Sequence, residues 1–263
     1  MVISLNSYIY RRLMKIIHIS DIHLADKGQP IWGTDTLAHF RTVTDLISQY
    51  NDIDAIVISG DIADNGCEWA YNYVDKEFAK LGIPTYVCPG NHDWLPTMRN
   101  SLSFCQITPL IELKDWKFLF LNSTMIDDEE PSKYRARGTI TPNDYNRISE
   151  IAHDSDKLIC IILHHSPIEP GQWMNRKLLE DREKFRSHVG SYDSIRLILF
   201  GHIHYALTSK LGHILYSSAP SVGFAFDPYL NKYEIADGSE GFNIIEIDND
   251  DVINISTITL PSQ

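Results

Sequence analysis

KIIHIS at 15–20, DAIVIS at 54–59 and TYVCP at 85–89 are short apolar runs of strand length, and each ends on a polar cluster. Residues 34–50 separate the first two and place Leu37, Phe40, Val43, Leu46 and Ile47 on one face of a helix. Residues 67–81 separate the second from the third and predict another helix, closed by Gly82. Strand, helix, strand, helix, strand is the pattern of a parallel sheet with helices packed against it. Apolar runs at 117–122, 158–163 and 195–200 extend it, with a helix expected near 142–153. After 206 the helical spacing disappears. Segments 206–211, 213–218, 241–247 and 252–258 read as strands of a second, mixed or antiparallel sheet. Two facing sheets with helices outside give an α/β fold, a layered α/β/β/α sandwich of two mixed sheets.

The composition agrees with a folded chain. Of 263 residues, 43% are apolar and 22% charged, which excludes general disorder. The formal charge of −12 argues against an extended nucleic-acid surface. No apolar stretch reaches the ~20 residues that span a bilayer, so no membrane partner is expected. Ser4, Asn6 and Ser7 interrupt the apolar residues at the start, and Arg11-Arg12 follow them, which does not read as a secretory signal. Cys67, Cys88, Cys105 and Cys160 form no Cys-x-x-Cys pair and are expected as buried thiols. The expected compartment is the cytoplasm. Residues 1–13 read as an N-terminal extension, with a start at Met14 left open, and 14–263 as one domain.

Five clusters carry the chemistry, each directly after an apolar run. They are Asp21-Ile22-His23, Gly60-Asp61-Ile62-Ala63-Asp64, Gly90-Asn91-His92-Asp93, His164-His165 and Gly201-His202-Ile203-His204. Taken singly, each is commonly a turn or a packed histidine. Together they belong on one rim, because the carboxyl ends of strands in an open α/β sheet converge there. Asp, Asn and His without thiolate suit Mn, Fe, Co, Ni or Zn better than Ca. If Asp21-x-His23 and His202-x-His204 are extended, alternate residues point the same way and each pair supplies two donors to one site.

This ordered set resembles the calcineurin-like metallophosphoesterases, with motifs from 21 to 204 and a general likeness over about 14–260. The strings HISDIHL, CPGNHDWLP, LHHSP and GHIH are similar to the class III cyclic nucleotide phosphodiesterases, the CpdA-like branch. The resemblance implies two divalent transition-metal ions, Fe or Mn first and Zn, Co or Ni as alternatives. It implies Asp21, His23, Asp61 and His204 on one ion, and Asp61, Asn91, His164 and His202 on the other. A bridging water or hydroxide would attack a small phosphodiester, 3′,5′-cyclic AMP being the first choice. His92 and Asp64 are implied as a catalytic pair, the carboxylate orienting the imidazole. Asp64 reads equally as the N-cap of the 67–81 helix. His23, Asn91, His92, His165 and His204 are the candidate substrate contacts, with His165 either facing substrate or packed behind the ligands. Asp93 reads as a turn acceptor, and His18, His39, His153, His188 and His213 as core or surface residues.

Two segments could wall the site. Residues 167–180 carry Trp173, Asn175 and Arg176, and residues 219–242 carry Phe224, Phe226, Asp227, Tyr229 and Tyr233. The second could instead form a contact in a homo-oligomer. The chain has Gly241-Phe242-Asn243 where the branch often has Gly-Tyr-Arg, and Leu121-Asn122-Ser123 where it often has Leu-Asp-Ser. Competing readings are a glycerophosphodiesterase, a nucleotide-sugar pyrophosphatase or a nuclease of the same fold, and a non-catalytic scaffold. The filled ligand positions argue against the scaffold.

Overall fold

The computed structural model describes residues 13–127, 129–130, 133–153, 155–230, 234–236, 238–248 and 251–261. Residues 1–12, the Trp173 side chain and Tyr233, all named above, lie outside the described residues.

The first sheet is built on β1 (Met14–Ile19), β2 (Ala55–Ile58) and β3 (Thr85–Val87), paired in parallel. Crossovers through α1 (Thr36–Ile47) and α2 (Glu68–Leu81) link them. Asp35 starts α1 by accepting the Ala38 N–H at 2.9 Å. Gly82 ends α2 in the left-handed region, φ +67°, with its N–H returned to the Phe78 carbonyl. The N-cap of α2 is Cys67, so Asp64 does not cap that helix. β10 (Gly241–Ile247) then pairs antiparallel with β1, and β11 (Ile253–Thr259) with β10, giving the order β11-β10-β1-β2-β3.

The second sheet has the order β4-β5-β6-β7-β9-β8. Its strands are β4 (Leu110–Leu113), β5 (Trp116–Phe120), β6 (Leu158–Ile162), β7 (Ile195–Phe200), β8 (Leu207–Leu211) and β9 (Ile214–Ser218). The expectation that the late strands form a sheet of their own is corrected here. β8 and β9 complete the sheet of β5, β6 and β7, whereas β10 and β11 return to β1. Covering a strand edge decides this, and edge pairing is not written in sequence order. The spacing also missed β4, α3 (Leu95–Ser101) and α5 (Arg182–Val189), all four to eight residues long. The expected helix near 142–153 is α4 (Pro142–Ala152), capped by Thr141.

Alternation along the strands makes the layers. Ile16, Val57 and Ile245 meet Phe118, Ile162 and Leu199 between the sheets. Ile17, Ile19, Ile56 and Ile58 face Phe40, Val43, Val74 and Phe78 of α1 and α2. Ile159, Ile161, Ile198 and Phe200 face Ile148, Phe185 and Val189 of α4 and α5. Each fully buried Ile or Phe contributes about 1.5–3 kcal/mol. All four cysteines are free thiols, three of them buried. Among the described residues no helix is long and apolar enough to cross a membrane.

Candidate metal centre

β1, β2 and β3 of one sheet, and β6 and β7 of the other, end at one place. The five polar clusters meet there. Asp21, His23, Asp61, His164, His202 and His204 are all buried. Asp21, His23, Asp61, His202 and His204 have φ between +49° and +72°, the left-handed region that disfavours side chains. The extended geometry expected for Asp21-x-His23 and His202-x-His204 is therefore corrected: both pairs reach the site through left-handed turns. Such positions cost about 1–3 kcal/mol each and persist where surrounding contacts hold them. One such contact is the His202 N–H donating to the Asp21 carboxylate at 3.0 Å. The glycines permit the crowding, since a Cβ on Gly90 would collide with the Asp61 carboxylate and one on Gly201 with Ser20.

The hydrogen bonds fix which imidazole nitrogens face inward. His204 Nδ1 donates to the Phe224 carbonyl at 2.7 Å, and His23 Nδ1 donates to Asp64 Oδ1 at 3.1 Å. Their Nε2 atoms then face each other at 3.2 Å. His164 Nδ1 donates to the Ser59 carbonyl at 2.8 Å, and His202 Nε2 donates to the Lys177 carbonyl at 2.6 Å. This leaves His164 Nε2 and His202 Nδ1 facing each other, also at 3.2 Å. Asn91 Oδ1 lies 3.1 Å from His164 Nε2. Asp61 Oδ2 lies 3.5 Å from His23 Nε2 and 3.2 Å from His164 Nε2, so one oxygen serves both groups. Asp21 Oδ1 lies 3.4 Å from His204 Nε2 and belongs to the first group.

Held neutral, four imidazoles arranged this way would aim lone pairs at one another and at two carboxylates. Such a surplus of acceptors calls for positive charge at its centre. Histidine ligands whose other nitrogen donates to a carbonyl or carboxylate are what bound divalent metals require. Overlapping Asp/His sets within this cluster have donor atoms close enough together to hold an ion. The titration behaviour agrees. Burial lowers the affinity of His164 for a proton, yet Asp61 and Asp21 outweigh it and raise its pKa to about 9. His23 is raised against burial by its bond to Asp64 and the charges of Asp61 and Asp21. Burial brings His204 down to about 4. Asp61 is held well below the usual carboxylate range, burial being outweighed by His164 and His92.

Asp93 turns away from the cluster. Its carboxylate accepts the N–H groups of Asp61, Ile62, Ala63 and Gly90 at 2.8 to 3.1 Å, which shapes both the second and third loops. The pairing expected between His92 and Asp64 takes a different form. His92 Nδ1 donates to the Asp64 backbone carbonyl at 2.8 Å, and the Asp64 carboxylate, 3.6 Å away, is bonded to His23. His165 is fully buried, its Nδ1 paired with Ser123 Oγ at 2.8 Å and its ring 4.7 Å from that of His202. Its Nε2 is buried without a hydrogen-bond partner, and with His164 and His202 it forms one of the groups close enough to hold an ion, while His23, Asn91, His92 and His204 line the pocket.

That pocket opens to solvent above the cluster. Phe224 and Phe226 line it as expected, and Phe226 stacks on His204 with ring centroids 4.4 Å apart. Tyr229 is exposed, and Asn175 and Asp227 bond locally within their own loops. Met174 and Lys177 of the 167–180 segment also line it, as expected of that wall, whereas sequence reasoning missed Trp32 and Ala136. Only Trp32 carried a signal, the aromatic-Gly dipeptide of a turn.

Residues 14–206 match the family model described as calcineurin-like phosphoesterase. A 3′,5′-cyclic-nucleotide phosphodiesterase of Nostoc sp. is 26% identical over 89% of this chain and 88% of its own. A probable cyclic nucleotide phosphodiesterase of Ruthia magnifica is 30% identical over 80% of this chain and 87% of its own. Among solved structures, a dimetal phosphatase from Danio rerio superposes with a TM-score of 0.71 at 13% identity, covering 95% of this chain and 99% of its own.

Proposed function

The chain belongs to the calcineurin-like phosphoesterase family, and from that premise we propose that it is a dinuclear metal-dependent phosphodiesterase acting on a small phosphodiester, with 3′,5′-cyclic AMP the first candidate. The observation that carries this reading is the single Asp61 oxygen set between two facing imidazole pairs. The names of the relatives, which cover most of the chain, support the diester and the nucleotide.

Asp21, His23, Asp61 and His204 would hold one ion, and Asp61, Asn91, His164 and His202 the other. The donors are nitrogen and oxygen alone, which fits Fe or Mn, and also Zn, Co or Ni. Two such ions, when bound, activate water and clamp phosphate oxygens for in-line displacement. The protein's own groups do the rest. The His92 N–H donates to Asp61 Oδ1 at 2.8 Å and fixes the carboxylate, leaving Oδ2 toward the cluster, where it would be shared by both ions. The His92 ring is fixed through Nδ1 to the Asp64 carbonyl. In the imidazolium form, with Nδ1–H still on that carbonyl, the second proton on Nε2 is the one to pass to the leaving alkoxide. Asp64 acts through His23, holding the tautomer that keeps Nε2 inward. His165 packs behind His164 and His202 and supports them. The reading takes 14–263 as one catalytic domain.

A hydrolysis panel on protein reconstituted with each metal tests this. It spans 3′,5′-cyclic AMP, 3′,5′-cyclic GMP, a glycerophosphodiester, an aryl phosphodiester and an aryl phosphomonoester. Diester hydrolysis that a chelator abolishes is expected, with nearly two ions per chain and with Asp61→Asn folded but inactive. Activity on the monoester alone would reject the diesterase, and undiminished turnover by Asp61→Asn would reject the bridge.

A further inference from the structure

The loop between β1 and α1 carries a residue that the metal cluster does not explain. Ile31 and Thr34 exchange both backbone hydrogen bonds, at 3.0 and 2.8 Å, closing a two-residue turn. Its central residues, Trp32 and Gly33, have φ of +49° and +86°, the signature of a type I′ turn. Gly33 adopts that conformation freely. Trp32 does not, since the first central position favours Asn, Asp or Gly, and a bulky side chain there is strained. The strain is not repaid by deep burial, because Trp32 remains 60% exposed.

Its placement gives the strain a use. Trp32 lines the pocket above the cluster together with Asn91 and His92. Its ring lies 4.9 Å from that of Phe224, which lies 4.9 Å from His23 and 4.7 Å from His204. An aromatic path thus runs from two of the proposed ligands to the rim. The far end of the loop is tied to the same ligands, since Thr36 Oγ1 donates to the His23 carbonyl at 2.9 Å. A solvent-facing indole lining the pocket above a phosphate site can recognise a planar ring. Any base offers a π-face, and an alkyl ester offers none.

We propose that Trp32 is a specificity-determining residue, whose indole stacks the base of a nucleoside phosphodiester while the phosphate sits at the Asp61 cluster. The proposal rests on the phosphodiesterase reading, and its test is arranged so that the two fail separately. Trp32→Ala and Trp32→Phe are compared with the parent on 3′,5′-cyclic AMP and on glycerophosphoethanolamine, which has no ring. Trp32→Ala is expected to raise KM for the cyclic nucleotide about tenfold, the scale of one lost base stack, with kcat held within about twofold. Trp32→Phe recovers most of the loss, and kcat/KM for the alkyl diester stays at the parental value. Equal loss on both substrates, or no loss on the nucleotide, overturns the proposal. If the parent hydrolyses neither diester, the phosphodiesterase reading fails, and stacking is then decided by titrating metal-loaded protein with AMP and with ribose 5-phosphate. Tighter binding of AMP by the parent, with the advantage lost in Trp32→Ala, supports the stack. Equal binding of the two ligands by the parent, or an advantage that survives the substitution, overturns it.

Discussion

His92 contributes to the centre through two separable parts. Its backbone N–H holds Asp61 Oδ1, and its ring is anchored to Asp64 and faces the pocket. His92→Ala keeps the first and removes the second. Turnover should therefore fall by about 10²–10⁴ while metal content stays near the parental value. Equal loss of metal and turnover would place the ring among the ligands. Asp93 presents the opposite case, a side chain that does not line this pocket yet holds the loops in place. Removing its carboxylate leaves the N–H groups of Asp61, Ile62, Ala63 and Gly90 buried without their acceptor. At about 1–3 kcal/mol for each unsatisfied group, Asp93→Ala should lose several kcal/mol in urea unfolding and much of its metal. A variant with parental stability would show that those amides find other partners. The motif residues were legible because the chemistry needs their side chains. Asp93 read only as a turn acceptor, because which amides reach it depends on how two loops fold over one another.

β1 carries the clearest pH device outside the centre. His18 lies fully buried beside Ser59, with Nε2 2.9 Å from Oγ, and opposite Asn243 in the register with β10. Burial pushes its pKa down to about 3. An unfolded histidine titrates near 6.5, so over the range between these values the unfolded chain binds more protons at this position. The stability associated with neutral His18 is present above pH 6.5 and is lost as pH falls toward 3, each unit being worth ~1.4 kcal/mol. His18→Asn should flatten the loss of stability between pH 7 and pH 4 in urea unfolding with chelator present throughout. Identical slopes in parent and variant would show that His18 is not the group responsible. At this scale the long helices were readable. α1 and α2 repeat an apolar face over three turns or more, whereas α3, α5 and β4 are too short for periodicity to separate them from loop.

For the whole molecule, the proposed ligands come from both sheets: Asp21, His23, Asp61 and Asn91 follow β1, β2 and β3, and His164, His202 and His204 follow β6 and β7. Ions held there would cross-link the two layers and would bind only the folded chain. Chelation should lower Tm by about 10 °C if the ions are normally present near 1,000 times their Kd, and adding metal back should restore it. A Tm unchanged after verified metal loss would show that the layers hold without them. The sequence by itself determined the strand-helix alternation, the five polar clusters and their residence at strand ends, because these follow from local periodicity and from residue chemistry. It did not determine that β8 and β9 join one sheet while β10 and β11 close the other, since edge pairing is a long-range choice between similar apolar strands. Nor did it reveal the left-handed backbone at Asp21, His23, Asp61, His202 and His204, the surplus of inward lone pairs, or Trp32 at the rim. Those depend on where loops distant in sequence are brought together, and only the tertiary structure decides that.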